Sequence, residues 1–135
     1  MATTVEAPVS TKTKGRILVV DDELVVRDSL GKWFTSEGYT ARPASGAREA
    51  LEIIQQSEFD IALIDIKMPG MDGIALALAV ARDLPKIPIL LMTGYADQRE
   101  RAAGLDALIC GIVAKPFNLS EIKSAVASAI AKGRR

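Results

Sequence analysis

The chain has no histidine and a single cysteine, Cys110. The first absence removes a histidine general base, a histidine metal site and a phosphohistidine carrier from within this polypeptide. The second removes an internal disulfide framework and fits a reducing cytosol. Cys110 is expected to serve as a small buried apolar residue, not as a reactive thiol. No run approaches the about 18 uninterrupted apolar residues of a membrane span. Residues Met1 to Lys14 lack the apolar core of a secretory signal, so a cytoplasmic location is expected. Excess charge is missing too. Lys and Arg number 17, Asp and Glu 17, and the formal net charge is +0. Nothing draws the whole chain to nucleic acid or to an acidic membrane surface. The basic end, Lys132 to Arg135, reads as charge facing the negative end of a helix dipole.

What is present is a globular composition. The chain is 135 residues long, 49% hydrophobic and 25% charged, enough for one core of ordinary size. Residues 1–13 read as a disordered lead-in and 14–135 as one domain.

Short apolar runs alternate with helical patterns. Arg16 to Val20 is continuously apolar after its first residue, as strands covered on both faces are. Leu24 to Ser36 carries Val26, Leu30, Trp33 and Phe34 at helical spacing, and Gly38 stops it. Tyr39 to Pro43 is a more polar run, expected at the sheet edge. Ser45 to Gln56 reads as a helix with Ala47, Ala50, Leu51 and Ile54 on one face. Phe59 to Ile64 is the third strand, and the turn-rich segment 67–73 follows it. Ile74 to Asp83 reads as a helix, Ile87 to Met92 as a strand, and Asp97 with Glu100 as the start of a fourth helix. A short strand within Ala107 to Ala114 and a last helix opened by Asn118 and Glu121, with apolar face Leu119, Ile122, Val126 and Ile130, complete the order. Strand and helix repeated five times predict an α/β fold. It is a doubly wound five-stranded parallel sheet with five helices on its two faces and right-handed crossovers.

Ligands of such sheets sit outside the carboxyl ends of the strands, where the strand order reverses. Asp21 and Asp22 follow the first strand, Asp65 the third, Thr93 the fourth and Lys115 the fifth. The fold gathers all five on one rim. Clustered carboxylates raise one another's pKa unless a cation is present. All-oxygen ligation favours a hard ion, Mg2+ first. A carboxylate can act as a nucleophile toward phosphorus, a lysine can pair with phosphate, and a hydroxyl can donate to a phosphoryl oxygen. Asp60, Asp72 and Gly73 read as turn and cap residues, and Glu23 as a first-turn residue without a ligand role.

The motifs Val19-Val-Asp-Asp-Glu23, Asp65-Ile-Lys-Met-Pro-Gly-Met-Asp-Gly73, Met92-Thr-Gly94 and Ala114-Lys-Pro-Phe117 together resemble the receiver domain of bacterial two-component response regulators. The resemblance runs from about Lys14 to the C-terminus. It implies a (βα)5, flavodoxin-like fold and a phosphorylation switch, not a turnover enzyme. By the same resemblance Asp65 is the phosphoacceptor. Mg2+ is held by Asp22, by Asp21 partly through water, by Asp65 and by the backbone carbonyl of Lys67. Thr93 and Lys115 bind phosphoryl oxygens, and the peptide bond before Pro116 is expected to be cis. The implied partners are a sensor histidine kinase or histidine phosphotransfer protein upstream and an effector protein or effector domain downstream. Contact with nucleic acid or membrane is not implied. The fourth helix, fifth strand and fifth helix form the implied output surface, and a phosphorylation-dependent homodimer is within the expectation.

One position departs from the family pattern. Where many receivers carry an aromatic residue three places before the lysine, this chain has Ile112. An isoleucine cannot exchange a ring between exposed and buried positions, and Tyr95 is the candidate substitute. Lys67 and Tyr95 flank the phosphorylation position, where their bulk is expected to hinder an attacking water. Two other readings compete. A haloacid-dehalogenase-like phosphatase would share the aspartate, Mg2+, hydroxyl and lysine, but needs a second aspartate where Lys67 stands. A pseudo-receiver would bind partners without ever being phosphorylated.

Overall fold

The computed structural model describes residues 13–68, 72–94, 108–115 and 118–133. Five strands, β1 (Arg16–Val20), β2 (Thr40–Ala44), β3 (Ile61–Asp65), β4 (Ile89–Thr93) and β5 (Gly111–Ala114), form one sheet in the order β2-β1-β3-β4-β5. Every neighbouring pair is parallel. Four helices lie among the described residues: α1 (Leu24–Ser36), α2 (Ala47–Gln56), α3 (Gly73–Asp83) and α4 (Leu119–Gly133). The further helix expected from Asp97 onward lies outside the described residues, as do Tyr95 and the Lys115–Pro116 peptide bond.

The alternation of side chains along each strand explains the continuous apolar runs. Leu18, Val20, Ala62, Ile64, Ile89 and Leu91 face one layer with Ala50, Ile54, Leu76 and Val80 of α2 and α3. Ile17, Val19, Ile61, Leu63, Leu90 and Met92 face the other with Leu30 and Phe34 of α1 and Ile122, Val126 and Ile130 of α4. Both faces are therefore dry, and every residue of β3 and β4 is buried. Phe34, fully buried, packs edge-on against Tyr39 at a ring separation of 5.8 Å.

β2 occupies the sheet edge as expected, and Pro43 lies within it. The turn before it passes through Gly38 at φ 99°, a left-handed conformation that favours glycine. The strand boundaries shift by a residue or two from the sequence reading, and three expectations need correction. The fifth strand is confined to Gly111–Ala114. Cys110 precedes it in a bend: its N–H donates to the carbonyl of Ile89 at 2.7 Å, but its side chain is exposed, not buried. Leu119 is 44% exposed. It is the first residue of α4. The buried stripe of α4 is Ile122, Val126, Ala129 and Ile130. Finally, α2 starts at Ala47: Gly46 before it is extended and makes no side-chain cap, and Glu49 of the first turn reaches back to accept the Ser45 N–H at 2.6 Å.

Candidate functional site

The chain leaves β1 in one direction to form β2 and returns on the other side to form β3, so strand order reverses between β1 and β3. The carboxyl tips of these two strands lie side by side, with Val20 opposite Ile64. Asp21 is the next residue after Val20, and Asp65 ends β3. Carboxylate oxygens of Asp21, Asp22 and Asp65 lie within 4.8 Å of one another. Asp21 is fully buried and Asp65 is 4% exposed, whereas Asp22 faces solvent.

The strand-tip backbone is tied in place. The Asp21 N–H donates to Ala44 O at 3.2 Å, Ile66 N–H to Met92 O at 3.0 Å, and Lys115 N–H to Thr93 O at 2.8 Å. These bonds carry the sheet one step beyond its last paired residues. Thr93, at the tip of β4, is 1% exposed. Lys115 follows β5, and its ammonium Nζ is 2.8 Å from Asp21 Oδ2, 3.3 Å from Asp65 Oδ1 and 3.9 Å from Glu23 Oε1. Asp21 Oδ1 accepts the Glu23 N–H at 2.9 Å. Both oxygens of this buried carboxylate are thus engaged.

Charge follows from burial. Desolvation, and then repulsion from Asp21, pushes the Asp65 carboxyl up to about 6, against the pull of Lys115; Asp22 adds a smaller repulsion. Burial alone would lower the Lys115 pKa, but the hydrogen bond and charge of Asp21, with those of Asp65, hold it above the ordinary lysine value. The cluster therefore carries more negative charge than one ammonium neutralises. Its donors are all oxygen, and they converge within a space that suits a hard divalent cation. The residues present fit Mg2+.

The structure brings Asp21, Asp22, Asp65, Thr93 and Lys115 to one rim, as their positions in the chain imply. Lys67 lies just beyond it in the loop after β3, with an exposed side chain. Ile112 stands within β5 opposite Leu91, partly buried against the α2/α3 layer. A groove of about 700 Å3 lies elsewhere, between α1 and β2, lined by Leu24, Arg27, Lys32, Ala41 and Pro43. It contains none of these carboxylates.

Three residues near the site escaped the sequence reading of function. Arg27 Nη1 donates to the backbone carbonyl of Asp21 at 2.8 Å. A cation in the first turn of a helix faces the positive end of the dipole, and that misfit is the signal for a local acceptor. Glu23 is the residue before α1, makes no side-chain cap, and adds a distant carboxylate to Lys115. Gly73 opens α3 directly behind the cap residue Asp72, whose Oδ1 accepts the Ala75 N–H at 2.9 Å. A glycine placed where alanine favours helix more hints at close backbone approach.

The fold is a flavodoxin-like α/β sheet with buried aspartates and a lysine at its switch point. The comparisons give it a family. The model of the response regulator receiver domain matches residues 17–127, and the chain belongs to that family. It is 38% identical over 107 residues to response regulator MprA of Mycolicibacterium vanbaalenii, a match covering 79% of this chain and 46% of that protein. The chain thus spans about half the length of the curated relatives it matches. A CheY-like response regulator receiver domain protein from Methanospirillum hungatei superposes with a TM-score of 0.82 at 30% identity, covering 88% of this chain and 95% of the other. Response regulator TrrA of Thermotoga maritima, solved in complex with Mg(2+)-BeF, gives 0.77 at 32% identity, covering 84% and 97%. Receiver domains of two-component systems are signalling switches that accept a phosphoryl group and bind Mg2+ at an acidic pocket. No helix among the described residues is long and apolar enough to cross a membrane.

Proposed function

We propose that this chain accepts a phosphoryl group on Asp65 from the phosphohistidine of a sensor histidine kinase or a histidine phosphotransfer protein. The donor histidine lies outside these residues, which contain none. Asp21, Asp22, Asp65 and the backbone carbonyl of Lys67 would hold Mg2+. When bound, that ion would offset charge on the phosphoryl oxygens.

The chain's own groups divide the remaining work. One Asp65 oxygen forms the O–P bond as the donor P–N bond breaks. The imidazole nitrogen keeps the electron pair and takes up a proton, and the product is an acyl phosphate. Lys115, already between Asp21 and Asp65, pairs with a phosphoryl oxygen. Thr93, one residue past the partner of Asp65 on β4, supplies a hydroxyl. Lys67 and Tyr95 shield the product from water. The new group adds charge of about −1.5 to −2. It shifts a two-state equilibrium in which Tyr95 and Ile112 are the switch positions. A coupling of about 1–3 kcal/mol changes partner affinity ~5- to 150-fold. The readout is altered affinity for an effector protein or domain through the surface around the expected fourth helix, β5 and α4, with homodimerisation of the phosphorylated form as one route. Residues 14–135 form the receiver unit and 1–13 its lead-in. A cytoplasmic location follows from the same reading.

The observation that carries this reading is the convergence of three carboxylates from two strand tips with Lys115 on two of them. Incubation with Mg2+ and acetyl phosphate, followed by intact mass, tests it. Wild type should gain the mass of one phosphate and Asp65→Asn none. Phosphate gain by Asp65→Asn, or none by wild type, rejects the assignment. Steady turnover of p-nitrophenyl phosphate would favour the phosphatase alternative instead.

A further inference from the structure

We propose that Gly73 is a positioning residue for the phosphoacceptor. Its lack of a side chain lets the start of α3 lie against the backbone of Asp65 and Ile66, which fixes the Asp65 carboxylate and the Lys67 carbonyl relative to Asp21. The inference rests on the phosphoacceptor reading of Asp65.

Gly73 is buried, and its N–H donates to Ile66 O at 2.7 Å. A Cβ at this position would overlap the carbonyl oxygen of Asp65 and stand 2.7 Å from both Asp65 C and Ile66 Cα. Those are backbone atoms at a strand tip and cannot yield as a flexible side chain would. Gly31 and Gly46, by contrast, have no atom within 4 Å of such a Cβ. The consequence for the site lies in what is held. The Ile66 N–H is bonded to Met92 O on β4 and its C=O to Gly73, so the residue between Asp65 and Lys67 is pinned on both sides. The turn from β3 into α3 therefore closes on the strand tip itself. Any side chain at 73 must push α3 outward or displace the Asp65 backbone, and the cation donors move with it. Asp72 anchors the same helix start through its own cap, its Oδ1 accepting the Ala75 N–H. It separates helix stability from site geometry.

Gly73→Ala is best made in a Gly31→Ala background, where alanine favours α1 and meets no neighbour. Titration with Mg2+ alone should show affinity reduced about 10-fold or more, the range seen when supports behind metal ligands are lost. Phosphate gain from acetyl phosphate should fall in parallel. Asp72→Ala should lower the unfolding temperature and leave Mg2+ affinity within about 2-fold of wild type. In wild type, Mg2+ should slow hydrogen exchange of the Gly73 amide more than that of Val80 in the same helix. Unchanged Mg2+ affinity in folded Gly73→Ala overturns the inference, as does an equal loss in Asp72→Ala. If Gly73→Ala does not fold, Gly73 exchange that is indifferent to Mg2+ overturns it. Wild type that neither binds Mg2+ nor gains phosphate would reject the underlying reading instead.

Discussion

The ammonium of Lys115 lies 2.8 Å from Asp21 Oδ2, a contact between residues 94 apart in the chain. It ties the tip of β1 to the far side of the sheet. A divalent cation held by Asp21 would compete with this lysine for the same carboxylate, whose other oxygen accepts the Glu23 N–H.

Replacing Lys115 by Met leaves Asp21 buried without its counter-charge. In chelator at pH 8 the variant should be less stable than wild type by about 1–3 kcal/mol, below the full cost of breaking a wholly buried pair because Lys115 is itself partly exposed. Its affinity for Mg2+ should rise. Thermal unfolding with and without Mg2+ reads both effects. A variant that Mg2+ stabilises less than wild type would contradict this competition.

Asp65 should make the metal-free protein less stable as pH rises. Its folded-state pKa is about 6, above the ordinary 3.8. The folded state therefore binds this proton more tightly than the unfolded chain does. The resulting stabilisation is full below about pH 4 and is lost as pH rises through about 6. Asp65→Asn should be more stable than wild type above this window, by an amount on the order of 2–3 kcal/mol at most, and the gap should close toward pH 4. Urea unfolding of both proteins in chelator across pH 4 to 8 measures the difference. A gap that does not change with pH would refute the prediction.

Arg27→Lys keeps the charge but gives up the reach of the guanidinium to Asp21 O. If that bond holds the β1 tip, Mg2+ affinity should drop several-fold with little change in net field. Calorimetric titration reads it, and an unchanged dissociation constant would reduce Arg27 to a groove residue.

Phe34 should carry a large share of the layer beneath α1. It is fully buried, with the Trp33 ring tilted against it and the Tyr39 ring edge-on. Phe34→Ala should cost about 3–5 kcal/mol, seen in the denaturant midpoint, while the strand-tip residues retain their phosphate acceptance in the folded fraction.

The sheet was legible because β1, β3 and β4 are buried on both faces and so read as unbroken apolar runs, each ending in a group that no core would hold without a partner. Asp21, Asp65, Thr93 and Lys115 announce a site for that reason. Other features depend on distances that spacing does not encode. Cys110 has a composition that suits burial, yet β5 begins one residue later and its side chain turns outward. Leu119 keeps the helical period of α4 but, as its first residue, is exposed. Arg27 looks ordinary in sequence and Gly73 reads there as a turn or cap residue, since a long side chain bent to a carbonyl and a missing Cβ gain their meaning for the site through what lies beside them.

Pro43 has one more effect. Thr40 N–H and Ala44 O both bond toward β1, so by alternation Ala41 and Pro43 direct their backbone groups outward. Proline has no amide hydrogen, which leaves Ala41 as the only outward donor on this five-residue border. An intruding polypeptide would find too few donors there to lengthen the ladder, so molecules crowded together after misfolding or at high concentration have little purchase for fibrous growth from that side.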